Sequence, residues 1–211
     1  MTPRVPDEDT FDFEVVEIEY TLPDRFGLDQ EGDPHDRHVQ NISATISLTR
    51  VGETDEASRQ IGEMTLAKID LTEPEIRLWD VFDSHSEEWN NYTLEITAAL
   101  EQTDARHILI AHRVSLDQDT RGRGIGLHAL ARGIRTWGQD AIVAMLAWPT
   151  ETPEDTSADL AAEHLASYWA QLGVTRQPMT DEATVPLLLG DTRTPTMAET
   201  LTRLSTWESD G

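Results

Sequence analysis

Two periodicities divide the chain. Residues 11–20 alternate, with Phe11, Phe13 and Val15 on one side and Asp12 and Glu14 on the other, the two-residue repeat of a half-buried strand. Residues 41–51 set Ile42, Ala44, Ile46 and Leu48 against serines and threonines. After a polar turn at 52–58 the apolar positions return over 61–71, so these two strands form a hairpin. From Leu78 the spacing changes to three and four: Leu78, Val81, Phe82, His85 and Trp89 share one helical face, and a second short helix follows over 92–100. Residues 106–116 read as a strand around the apolar run Ile108-Leu109-Ile110-Ala111. A glycine-rich turn leads into a helix ending near Trp137, then into a buried strand over 141–147 stopped by Pro149. An Ala-rich helix over 161–172 with Gly173 as its C-cap, a short strand over 185–189 and a terminal helix over 197–207 complete the pattern. Segments 1–10, 23–38 and 149–158 carry Pro, Gly and charge without either period, and read as a disordered N-terminus and two loops. One domain over 11–211 is expected, and its second half alternates strands with helices as an α/β core does.

Composition narrows the setting. Sixteen Lys and Arg face 40 Asp and Glu, for a net charge of −24. Phosphate grooves need a local excess of cations and anionic membranes repel such a chain, so neither nucleic acid nor membrane is expected as a partner. With no cysteine, disulfides, thiolate metal sites and cysteine nucleophiles are excluded. No signal-like N-terminus and no apolar run of about 18 residues is visible, and a cytoplasmic location is expected. Asp33, His35, Asp36 and His38 fit no common metal-ligand spacing, so no metal is expected.

Candidate chemistry concentrates in one turn. Between the strand at 106–116 and the next helix runs Arg121-Gly122-Arg123-Gly124-Ile125-Gly126. Glycines leave backbone N–H groups unshielded, and the helix N-terminus behind them adds unpaired donors and a partial positive charge of about half an electron. Arg121 and Arg123 bring two cations to the same place. The segment is an anion site suited to a pyrophosphate, but it is neither a Walker loop nor Gly-x-Gly-x-x-Gly.

In its strand–turn–helix setting this segment resembles the acyl-CoA motif of the GNAT superfamily of N-acetyltransferases, Arg/Gln-x-x-Gly-x-Gly/Ala. The apolar pair Val114 and Leu116 precedes it as in that family. Downstream, Leu165-Ala166-Ser167-Tyr168-Trp169-Ala170-Gln171-Leu172-Gly173-Val174 is similar to the family's second landmark. The resemblance covers about residues 105–175 and is most like bacterial members whose substrates are not known. It implies a GNAT-like fold of the α/β (α+β) class, a mixed, mostly antiparallel central sheet flanked by helices. It further implies that Val114 and Leu116 pair with the pantetheine arm, that N–H groups from Arg121 to Gly126 hold the pyrophosphate, and that the strands at 106–116 and 141–147 splay around the thioester. Acetyl-CoA is then the cosubstrate.

Two departures follow. The family tyrosine that protonates the leaving thiolate stands four residues before the landmark glycine, where this chain has Trp169; Tyr168 is one residue earlier, about 100° away on a regular helix. The family commonly places two helices between its first and second strands, whereas here three strands come first, an atypical N-terminal half. Tyr168 is the candidate acid. His112, sharing a face with Ile110 and Val114, is the candidate base, and Asp80, Asp83, Glu87 and Glu88 around His85 are candidates to line an acceptor pocket. The expected function is N-acyl transfer, most simply of acetyl from acetyl-CoA to a primary amine by direct attack; the alternative is a GNAT-fold CoA-binding or protein-interaction module without catalysis. The acidity points to a small-molecule or peptide acceptor that is cationic, and a homodimer stays open.

Overall fold

The computed structural model describes residues 11–22, 38–52, 56–72, 77–85, 87–149, 156–178 and 185–206. Residues 23–37 of the loop expected over 23–38, residues 150–155 of the loop expected over 149–158 and the chain end at 1–10 lie outside these, as do all but His38 of the Asp33–His38 cluster. Seven strands form one sheet: β1 (Phe11–Thr21), β2 (Val39–Gly52), β3 (Glu56–Asp70), β4 (His107–Leu116), β5 (Ala141–Leu146), β6 (Thr175–Arg176) and β7 (Leu187–Asp191). Their order is β1-β2-β3-β4-β5-β7-β6, antiparallel throughout except for the parallel pair β4–β5. This is the expected mixed, mostly antiparallel sheet flanked by helices.

Each face of the sheet buries its own apolar cluster. On one, Ile42 and Ile46 of β2, Met64 and Leu66 of β3 and Leu109 and Ala111 of β4 meet Leu130 and Ile134 of helix α4 (Ile125–Trp137). Met197 and Leu201 of the terminal helix α6 (Pro195–Leu204) close that layer. On the other face, Ile69, Ile108, Ile110 and Ile142 lie under Val81, Phe82, Trp89, Tyr92 and Ile96, which come from α1 (Leu78–His85), α2 (Glu87–Asn90), α3 (Thr93–Glu101) and the turn between the last two. Burying each large side chain contributes roughly 1.5–3 kcal/mol. The Tyr92 hydroxyl is buried as well, and it donates to the Val185 carbonyl (2.9 Å) and accepts from the Val185 N–H (3.2 Å), which removes the desolvation cost.

The single helix face read from Leu78 to Trp89 is thus two short helices, still burying Val81, Phe82 and Trp89 on one side. α5 (Ala158–Trp169) ends earlier than expected and tightens into a 3₁₀ turn over Ala170–Leu172, which Gly173 closes at φ 88°. Strand β6 carries no readable period, being two exposed residues.

Candidate functional site

The site begins where β4 and β5 part. Their pairing runs from His107↔Ala141 to Ala111↔Met145; beyond that, β4 continues to Leu116 while β5 ends at Leu146. A cleft of about 450 Å³ opens between them, with Val114 and Leu116 on one wall, Met145, Leu146 and Trp148 on the other, and α5 residues Leu165, Tyr168 and Trp169 above.

A bulge at this point re-aims the strand. β3 pairs Leu66 with Ala111 and Thr65 with Arg113, so His112 is the extra residue. Before it, Ile108 and Ile110 face the α1–α3 cluster and Leu109 and Ala111 face the α4 cluster; after it, the even positions Val114 and Leu116 pack on the α4 side. His112 keeps the side of Ile110, edge-on to Trp89 at 5.8 Å and 88°. The expectation that it shares a face with Val114 is corrected by this one-residue insertion.

Beyond the bulge, the backbone of β4 points the right way for an added strand. The Asp117 N–H donates to Ile61 on β3 at 2.8 Å, and the Ser115 carbonyl faces Gly62 so closely that a Cβ there would strike it. Backbone groups alternate along a strand, so Val114 and Leu116 direct theirs to the open edge. The Leu116 carbonyl is engaged by Arg121 Nε at 2.9 Å.

The glycine-rich turn ends that edge. Gly122 and Gly124 adopt left-handed φ of 77° and 79°, and a Cβ on either would meet no atom within 4 Å, so the space over the turn is clear. Gly124 is the N-cap of α4, whose first intrahelical bond is His128 N–H to the Gly124 carbonyl; the N–H groups of 124–127 precede that ladder. Two ion pairs strap the turn to the sheet: Arg59 of β3 to Asp119 (2.7 Å) and Arg123 to Glu14 of β1, which also holds Arg50 at 2.9 Å. Burial alone would raise the Glu14 pKa, but hydrogen bonds and charge from Arg123 and Arg50 outweigh it and hold the carboxyl below its ordinary value. The side-chain charge of Arg123 is therefore compensated, and Arg113 and Arg121 are the arginines that border the cleft. The turn fits a pyrophosphate through its backbone more than through its arginines.

Tyr168 and Trp169 both line the cleft, their ring centroids 4.9 Å apart. The Tyr168 oxygen takes a hydrogen bond from the Leu127 N–H in the first turn of α4 and lies 3.6 Å from where a Gly126 Cβ would stand. Burial raises its pKa against that bond, so the phenol keeps its proton at neutral pH. Of the acceptor-pocket carboxylates, Asp80 is half-buried and Asp83 accepts from Asn90 at 2.9 Å, and neither borders this cleft. The side chains of His85, Glu87 and Glu88 lie outside the described residues. Arg113 was not singled out by sequence reasoning; its signal is the pair His112-Arg113, two polar residues in a row inside an alternating strand.

No family model and no curated protein matches the chain. Solved structures similar to it include the KacTA–DNA complex, at 13% identity and TM-score 0.42, covering 89% of this chain and 99% of that one. A mutant AtaT toxin bound to the C-terminus of the antitoxin AtaR and acetyl-CoA follows at 12% and 0.40, covering 90% and 99%. A Drosophila melanogaster polyamine N-acetyltransferase matches at 15% and 0.34, covering 69% and 74%. The mixed, mostly antiparallel sheet is the one expected of a GNAT-like fold; of these similar structures, one is a polyamine N-acetyltransferase and one holds acetyl-CoA. Likenesses this distant assign no substrate here. The expectation that nucleic acid is excluded as a partner is corrected: among the similar structures KacTA is complexed with DNA and AtaT with its antitoxin. A net charge of −24 is a sum over the molecule, and it excludes no partner that meets a local surface or arrives with cations of its own. No described helix is long and apolar enough to cross a membrane.

Proposed function

We propose that the protein is an acyl-CoA-dependent N-acyltransferase that passes an acetyl group from acetyl-CoA to a primary amine in the β4–β5 cleft. The observation carrying this reading is one continuous track: an open strand edge at Val114 and Leu116 that runs directly into a helix N-terminus cleared of side chains by Gly122 and Gly124. Pantetheine amides would pair with that edge like an added strand, and N–H groups from Arg121 to Gly126 would take the pyrophosphate. Bound there, acetyl-CoA supplies an activated acyl carbonyl. The amine nitrogen bonds to the carbonyl carbon as the carbon–sulfur bond breaks; the amine's proton goes to His112 or water, and the thiolate takes a proton from the Tyr168 hydroxyl. Positioning and backbone polarisation of the carbonyl lower most of the barrier.

The test is CoA binding. At about 100 times Kd, acetyl-CoA should stabilise the fold by roughly 2.7 kcal/mol. Gly126→Asp is the probe: the position is buried, its Cβ would sit at ordinary contact, 3.5–3.7 Å from Trp169, Tyr168 and Leu116, and the variant's melting curve checks that the fold is kept. An acidic residue in a first helical turn is itself favourable. It should keep the fold and abolish CoA binding by calorimetry; unchanged affinity would remove the cofactor assignment.

A further inference from the structure

The bulge in β4 does more than open the cleft. Alternation places His112 with Ile110 and Arg113 opposite Val114, so these two consecutive side chains share the sheet face away from α4. Arg113 borders the acyl cleft and also a second, polar cavity of about 720 Å³ along β3 and β4, lined with Gln60, Glu63, Thr65 and Ser115. The two cavities share Arg113, Ser115, Leu116 and Arg121, so the second runs beside the first along β4 from the bulge to the glycine-rich turn.

Arg113 is one of three described arginines, with Arg77 and Arg203, whose side chains have neither a described carboxylate within 4.0 Å nor a described hydrogen-bond acceptor, and of the three it is the one that lines these two cavities. Arg50, Arg59, Arg106, Arg123, Arg176 and Arg193 are each paired with carboxylates. Arg121 and Arg132 reach backbone carbonyls, and Arg135 reaches Ser205. Arg113 is exposed and has no carboxylate within 4.0 Å among the described residues, although Glu63 is diagonal to it across the β3–β4 ladder. Instead Glu63 accepts a long bond from Gln60, at 3.4 Å. A planar guanidinium left open at the wall between two cavities is a fork for an oxyanion.

We infer that Arg113 recognises an oxyanion, carboxylate or phosphate, carried by the amine acceptor within a few bonds of its nitrogen. This rests on the acyltransfer reading. With the oxyanion on Arg113, a short spacer sets the amine at the neighbouring His112 and the open edge of β4, whereas a long spacer would overshoot.

The experiment uses the full chain with acetyl-CoA and matched amines: α-amino acids, their amides, and aminoalkylphosphonates of the same length, read as thiol release. Acids or phosphonates should be preferred over amides by at least about tenfold in kcat/KM, and the better of the two identifies the oxyanion. Arg113→Met should raise KM for the preferred class about tenfold or more with a smaller change in kcat, affect the amides several-fold less, and be partly rescued by Arg113→Lys. Calorimetry adds a readout without turnover: the N-acetylated acid should bind the CoA-loaded protein more tightly than its amide, and lose that advantage in Arg113→Met. If CoA binds but amides serve as well as acids, or if Arg113→Met weakens both alike, this inference falls and the acyltransfer reading stands. If CoA does not bind at all, both fall.

Discussion

At the scale of single residues, the question is which proton donor serves the cleft. Helical arithmetic puts Tyr168 about 100° from the landmark position and Trp169 on it. In the structure both rings border the cleft, tilted against each other with centroids 4.9 Å apart. Burial raises the Tyr168 pKa, outweighing the opposing Leu127 N–H, and keeps the hydroxyl protonated. Tyr168→Phe should therefore lower kcat by about 10²-fold with little change in KM, and should leave melting close to wild type. Equal turnover in the folded variant would assign Tyr168 to packing. The sequence located the glycine turn residue by residue because backbone conformation there is dictated by amino-acid type. It named Tyr168 as the candidate acid but could not fix the direction of its side chain, which depends on how α5 packs against α4.

At the scale of elements, the same division holds. β1 to β5, α3 and α4 were legible because β2 and β3 alternate over one buried face, β4 and β5 are apolar runs buried on both, and the helices keep their own period. β3 alone starts early, at Glu56, inside the expected turn. The bulge at His112 was not read, since no glycine marks it and its only trace is a skipped alternation. β6 has no buried side chain to set a pattern. Packing between helices gives a testable pH effect. His128 on α4 is buried, with Nδ1 3.1 Å from the Leu204 carbonyl at the end of α6. Desolvation, ahead of the opposing backbone bond, depresses its pKa below the ordinary 6.5. The unfolded chain then takes up the proton first as pH falls, so stability is full above about 6.5 and declines as pH drops through that value. Denaturant midpoints between pH 8 and 5 should show this decline. His128→Gln, which keeps an N–H for Leu204, should flatten it; a variant with the wild-type slope would assign the effect elsewhere, His107 being the next group with a lowered pKa.

At the scale of the molecule, the −24 charge and the proposed anionic ligand pull against each other. A site built from arginines would bind CoA less well as salt rises, since its attraction is local charge. Here Arg123 is compensated by Glu14, Arg121 bonds to the Leu116 carbonyl, and the cradle is mainly neutral backbone whose donors act only at contact. The whole-molecule field, by contrast, reaches the approaching ligand across a Debye length of about 30 Å at 0.01 M salt, and across only about 8 Å at 0.15 M. Screening thus removes repulsion from distant carboxylates before it weakens short-range bonds in the turn. CoA affinity should rise between about 10 and 150 mM NaCl, mostly through a faster on-rate, and level off or fall beyond. Calorimetry gives the affinity and stopped-flow fluorescence from Trp148 and Trp169 at the cleft gives the rate. An affinity that falls steadily from the lowest salt would mean that the arginines hold the pyrophosphate themselves, with Arg123 leaving Glu14 to do so.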